Sequence, residues 1–131
     1  FIHEENEEKA KQLGRVENSG NLVVEIDIPQ NKNINEIAIS CMESINNGFI
    51  LLPESIRLFD ISDGKEKLLL SLKISKSNLD EPDSKRVFKL ELNKQSIRKV
   101  RLKIQSNRKL PKGHVAEGQP GWLFVDEIFL L

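Results

Sequence analysis

From position 22 the chain reads Leu22-Val23-Val24-Glu25-Ile26-Asp27-Ile28, and this stretch decides the fold. Leu22, Val24, Ile26 and Ile28 recur at every second residue, while Glu25 and Asp27 take the opposite side. A period of two belongs to an extended strand with one face buried and the other in water. Pro29 ends the segment, because proline has no N–H to give the ladder.

The same period returns along the chain. Ile37, Ile39 and Cys41 repeat it until Asn46-Asn47-Gly48 breaks it, and the apolar run Phe49-Ile50-Leu51-Leu52 closes at Pro53. Residues 56–61 form the next strand, and Ser62-Asp63-Gly64 reads as a hairpin turn, since Asp-Gly supplies the positive φ that a tight turn needs. Leu68, Leu70, Leu72 and Ile74 then fall in phase, and residues 75–85 form a polar surface loop. Phe88, Leu90 and Leu92 point inward, as do Val100, Leu102 and Ile104, with Lys99, Arg101 and Lys103 outward. A long loop with scattered Gly and Pro covers residues 105–121. The closing stretch, residues 122–131, is apolar on both faces, as suits a strand covered on both sides.

Only residues 4–13 read as a helix. They are rich in Glu, Lys and Ala, place Glu5/Lys9 and Glu7/Lys11 at i,i+4, and meet Gly14 as a stop, with a polar turn at residues 18–21. The expected fold is therefore all-β: about eight strands in a two-sheet β-sandwich or jelly roll, with one short N-terminal helix. Residues 1–20 are an extension or helix and residues 21–131 the β domain. A parallel sheet would need several crossover helices, which this chain does not offer.

The 131 residues suit one domain with a core large enough to be stable alone. Twenty basic and twenty acidic residues cancel, so the net field gives no reason to expect a nucleic acid or an anionic membrane as partner. No apolar run approaches the roughly eighteen residues of a membrane span. The chain opens on Phe1, as expected of an excised or processed piece. Cys41, the only cysteine, excludes an internal disulfide and reads as a small buried hydrophobe.

Catalytic signals are missing from the sequence. There is no Gly-x-Ser-x-Gly elbow, His3 and His114 are isolated, the seven glycines form no phosphate loop, and no metal-ligand spacing occurs. No catalysis and no cofactor are expected. Asp126-Glu127 sit on a strand, where neighbours point to opposite faces, so one acid bridges or caps while the other is exposed or bonded to a loop. The rows Lys99/Arg101/Lys103 and Lys85/Arg86/Lys89 read as solvated sheet faces balanced by cross-strand acids. With one Trp, six Phe and no Tyr, the chain lacks the aromatic platforms of nucleic-acid binding.

Sugar recognition asks for less: one aromatic plate against a pyranose ring and a few polar groups on loops at one end of a sandwich. Two loops carry such residues. One holds Asn46, Asn47 and Phe49; the other holds Asn107, Arg108, His114, Gln119 and Trp122. The plainer alternative puts Phe49 and Trp122 in the core and makes Arg108 and His114 ordinary solvated loop residues.

Several stretches together resemble a known domain. The run Asn21-Leu-Val-Val-Glu-Ile-Asp-Ile28, followed by Ile34-Asn-Glu-Ile37, looks like the "D-L-V-x-x-I-D-L-G … I-x-x-I" opening of the domain that follows the catalytic barrel in many bacterial β-N-acetylhexosaminidases (chitobiases). Gly48-Phe-Ile-Leu-Leu-Pro53 resembles its "S-W-I-x-x-P", and Ile61-Ser-Asp-Gly64 its "S-x-D-G" hairpin. Ile97-Arg-Lys-Val-Arg-Leu102 is similar to "A-R-Y-V-R-V", and Gly121-Trp-Leu-Phe-Val-Asp-Glu-Ile128 to the closing "W-L-F-V-D-E-I".

The resemblance implies a galactose-binding-like (discoidin-like) jelly roll in an exported bacterial protein at the periplasm, cell surface or outside the cell. It further implies a non-catalytic carbohydrate-binding accessory module of a glycan-degrading enzyme. Its partners would be glycans containing N-acetylglucosamine or galactose, the adjacent catalytic domain, or both. Such domains bind sugar in some relatives and only buttress the enzyme in others. Phe49 stands where that family has tryptophan, and residues 4–13 replace its first strand and "D-G" loop. In relatives that loop shares a structural calcium with a late glutamate matching Glu127, so no calcium is expected here.

Overall fold

A computed structural model describes residues 8–9, 12–16, 21–93, 96–106 and 108–131, with the backbone alone before residue 21. Among the described residues nine strands and one short helical turn follow in the order β1 (Glu8–Lys9), β2 (Gln12–Val16), β3 (Leu22–Asp27), β4 (Glu36–Glu43), α1 (Ile45–Gly48), β5 (Ser55–Asp60), β6 (Lys67–Lys73), β7 (Ser84–Glu91), β8 (Lys99–Gln105) and β9 (Val125–Leu130). They form two antiparallel sheets, one of four strands ordered β1-β9-β4-β7 and one of five ordered β2-β3-β8-β5-β6. The all-β, two-layer reading of the sequence is what the structure shows.

The alternation drives the layers together. Val24 and Ile26 from β3, Ile56 and Leu58 from β5, and Val100, Leu102 and Ile104 from β8 line the inner face of the five-stranded sheet. Ile37, Ile39 and Cys41 from β4, Leu90 from β7, and Ile128 and Leu130 from β9 meet them from the other sheet in one apolar cluster. Each large aliphatic side chain buried this way contributes about 1.5–3 kcal/mol. In β9 three successive residues, Ile128, Phe129 and Leu130, are buried, so both faces of that strand are covered.

Cross-strand pairing explains the charged rows. Arg101 of β8 lies opposite Glu25 of β3 and bonds it at 3.0 Å, while its other terminal nitrogen reaches Glu66 at 2.7 Å. Lys103 adds a 3.1 Å ion pair to Glu66, and Lys85 pairs with Asp126 at 3.1 Å. Phe59 lies under two cations, Arg57 Cζ at 5.7 Å and Lys103 Nζ at 5.0 Å from its ring centre.

Three expectations are corrected. The helix over residues 4–13 is not formed where that segment is described, because Glu8–Lys9 pairs with β9 and Gln12–Val16 with β3. Gly14 sits opposite Val24 inside β2 rather than stopping a helix. Two i,i+4 ion pairs are worth only about 0.2–0.5 kcal/mol each, less than the ladders that cover the edges of β3 and β9. Residues 4–7, 10 and 11 of that segment, and 18–20 of the turn, lie outside the described residues.

The second correction concerns β6. A bulge between Leu58 and Phe59 pairs Leu58 with Leu70 but Phe59 with Leu68, so Leu69 is the extra residue. The bulge shifts the phase, leaving Leu68 exposed while Leu69, Leu70 and Leu72 pack against the core. The third concerns Asp126-Glu127. The β4–β9 register passes from Ser40↔Glu127 to Cys41↔Val125, leaving Asp126 as an extra residue. Both acids thus fall between inward-facing Val125 and Ile128, and the strict alternation that would send them to opposite faces is broken, while the expected bridge is made by Asp126, to Lys85.

Candidate functional site

The helical turn α1 gathers three loops at one end of the sandwich. Asn46 Nδ2 donates to the carbonyl of Leu79 at 2.9 Å and Asn47 Nδ2 to Asp83 Oδ2 at 3.1 Å, fastening the loop between β6 and β7. Both asparagines are otherwise exposed. Phe49 caps the turn in the left-handed region, at φ 56° and ψ 31°, a strained setting for a bulky side chain. What holds it there is packing: its ring joins Leu79 and Ala116 around a small second core of Ile45, Leu51 and Leu110.

His114 locks the loop between β8 and β9 onto this turn. Its ring meets that of Phe49 edge-on, with centroids 4.7 Å apart at 78°. The Ala116 N–H donates to His114 Nδ1 at 2.9 Å, which assigns the ring proton to Nε2, and Nε2 lies 2.8 Å from the Ile45 carbonyl. His114 is buried and structural, so its reading as a solvated loop residue is corrected. Arg108 is corrected likewise. It is buried, with Nη1 donating to the Ser75 carbonyl at 3.2 Å and Nη2 to that of Ile74. Burial pushes the Arg108 guanidinium pKa down, against the charges of Glu54 and Glu43.

Trp122 departs furthest from the plainer alternative. It is 72% exposed and no part of the core. Its backbone is nonetheless fixed on both sides: its N–H donates to the Phe49 carbonyl at 2.8 Å, and its carbonyl accepts from Leu51 N–H at 2.9 Å. Leu123 and Val125 turn inward, so Trp122 and Phe124 turn outward. Gly121 permits this approach, because a Cβ there would stand 2.7 Å from the Leu51 side chain and 3.2 Å from the Phe49 carbonyl oxygen. Gln119 is exposed, its carbonyl accepting from Leu110 N–H at 2.8 Å. Asn107 lies outside the described residues.

The two loops singled out in the sequence therefore meet, through Phe49, His114 and Trp122. Five residues missed in the sequence adjoin them. A cavity of about 270 Å³ is lined by Glu43, Ser77, Lys76, Lys109 and Lys112 together with Arg108. Glu43 is 1% exposed; Ser77 Oγ donates to its Oε2, and its Oε1 has no partner. The signal was present, since Glu43 continues the inward phase of Ile37, Ile39 and Cys41. A larger cavity, about 460 Å³, lies at the opposite end between residues 28–34 and Leu92 and Ile97, and is lined by neither an aromatic ring nor a carboxylate.

Burial pushes the Cys41 thiol pKa up to about 12, which removes it as a nucleophile at neutral pH. Among the described residues no three His, Cys, Asp or Glu side chains gather to hold a metal, and no helix is long and apolar enough to cross a membrane. No protein-family model matches the chain, and no curated protein does so.

Proposed function

We propose that this chain is a non-catalytic carbohydrate-binding module of a glycan-degrading enzyme, with a galactose-binding-like jelly-roll topology. On this reading its parent is an exported bacterial protein of the β-N-acetylhexosaminidase type. The observation that carries the proposal is Trp122, an aromatic plate in solvent whose backbone is clamped to residues 49–51. A plate whose backbone is already ordered before the ligand arrives loses less entropy on stacking against the C–H face of a sugar. The exposed amides of Asn47 and Gln119 supply hydroxyl partners on the same loops.

The experiment is a titration of the domain with N-acetylglucosamine, chitobiose, galactose and lactose, followed by backbone amide shifts. Shifts confined to residues 46–49 and 108–122, lost in Trp122→Ala, support sugar binding. Silence at millimolar sugar overturns it.

A second reading, in which the domain buttresses an adjacent catalytic domain, is favoured by the outward apolar pair Trp122 and Phe124, 72% and 45% exposed. On that reading a neighbour's surface covers the pair.

A further inference from the structure

One edge of the four-stranded sheet is open among the described residues. Strand β7 ends the order β1-β9-β4-β7 and pairs on one side only, with β4, in an unbroken register from Glu36↔Glu91 to Glu43↔Ser84. That register fixes which of its backbone groups are free. Leu92 N–H donates to the Asn35 carbonyl at 2.7 Å, so Leu92 faces β4. Glu36, which lies opposite Glu91, instead spends its N–H and carbonyl on Leu131, at 3.0 and 2.9 Å. Residues of an antiparallel ladder alternate in this respect. The even residues of β7 therefore bond β4, while Lys85, Val87, Lys89 and Glu91 aim N–H and C=O away from the sheet. All four are exposed.

An open edge is a template for another strand, and proteins blunt it with a very short strand, a bulge or a proline. β7 has none of these. It is eight residues long, regular and free of proline, whereas β6, at the end of the other sheet, is bulged against β5. At its middle Val87, β-branched and apolar, stands 39% exposed. What β7 does carry is charge: Lys85, Arg86 and Lys89 against the single acid Glu91. Lys85 is paired with Asp126, but neither Arg86 nor Lys89 has an ion-pair partner among the described residues.

These cations choose the occupant. A second copy pairing antiparallel about Phe88 would match Lys85 with Glu91, but it would set the two Lys89 side chains diagonally together and bring two cation-rich edges into contact. An extended acidic segment meets both demands of the edge. Its main chain completes the free N–H and C=O groups, and the sequence acid-apolar-acid at every second residue sets carboxylates against Lys85 and Lys89 and an apolar side chain against Val87. We infer that β7 is a docking edge for an extended acidic peptide segment of a partner protein, which joins the sheet as a fifth strand. The inference does not draw on the sugar-binding reading and stands or falls separately.

The test is a titration with the synthetic peptide acetyl-Glu-Val-Glu-Val-Glu-Val-amide, its counterpart with Lys in place of Glu, and an N-methylated acidic form that has lost its N–H donors. The acidic peptide is expected to shift residues 84–91 and to slow amide exchange at Lys85, Val87, Lys89 and Glu91, the even amides being protected beforehand by β4. Binding should weaken as salt rises. Arg86→Glu/Lys89→Glu should lose about tenfold in affinity with its circular dichroism unchanged. Val87→Pro, tolerated where the lost N–H faces solvent, should abolish the slowed exchange. Equal binding of the basic or the N-methylated peptide, shifts without slowed exchange at those four amides, or an unaffected charge variant would each overturn the inference. Silence from the acidic peptide at millimolar concentration would do the same. Slowed exchange at the four amides that grows with protein concentration, without peptide, would give the edge to a second copy and overturn it as well.

Discussion

His114 stands edge-on to Phe49 with ring centroids 4.7 Å apart, while its Nε2 lies 2.8 Å from the Ile45 carbonyl. One imidazole thus fastens a long loop to a four-residue helical turn. His114→Ala leaves the Ile45 carbonyl and the Ala116 N–H without these partners and opens a gap beside Phe49. We expect a loss of about 1–3 kcal/mol in urea denaturation. Amide exchange should accelerate at Ala116 and leave the β3–β8 ladder unchanged.

Trp122→Ala is expected to behave in the opposite way. An exposed side chain contributes little to folding, so stability should change by no more than about 0.5 kcal/mol. Sugar-induced amide shifts should vanish. By contrast, Ile39→Ala, at a position with no exposure, should cost about 2–5 kcal/mol. A Trp122→Ala variant as unstable as Ile39→Ala would refute the placement of Trp122 in solvent.

Gly121→Ala tests the clamp behind Trp122. The added Cβ meets the Leu51 side chain at 2.7 Å and the Phe49 oxygen at 3.2 Å. Overpacking of this kind costs about 1–3 kcal/mol. The expected signature is amide shifts across residues 49–51 and 121–122, with β3 and β8 unmoved.

The Arg101 network sets a pH dependence. Hydrogen bonds from Arg101 and Lys103 hold the Glu66 carboxyl below its ordinary value of 4.5. A depressed carboxylate stabilises the fold above its unfolded pKa, and that contribution is lost as pH falls through the lower folded value. The effect is small at so exposed a site. Glu66→Gln should therefore narrow the gap between denaturation midpoints at pH 7 and pH 3, chiefly by lowering the midpoint at pH 7.

Cys41 should resist alkylation in the native protein. Its side chain is fully buried and its thiol pKa is pushed up to about 12. Iodoacetamide at pH 8 should label it only as fast as the domain opens, and at once in denaturant. Rapid labelling without denaturant would contradict the burial of Cys41 in the core shared by the two sheets.

Where period two runs unbroken, as from Leu22 to Ile28 and from Val100 to Ile104, the residues read as inward are those that pack in the core, although Val23 on the other face is buried as well. Sequence and structure part at the two bulges. An inserted residue beside Leu58/Phe59 and another at Asp126 reverse the phase, and nothing in the local composition marks either insertion. The burial of His114 and Arg108 was equally hidden, because it depends on carbonyls of Ile45, Ile74 and Ser75 that reach them only through the fold. Trp122 could have been placed: inward Leu123 and Val125 leave Trp122 and Phe124 outside by simple alternation. The N-terminal strands were obscured by helix-favouring residues whose mutual attraction is weaker than an open sheet edge.

The chain has a single tryptophan, and it stands in water. Its emission is thus already that of a hydrated indole before the protein unfolds, so fluorescence will be nearly blind to the melting of the core. The same property makes it a clean optical reporter: any blue shift or quenching signals that something has settled on the loop end.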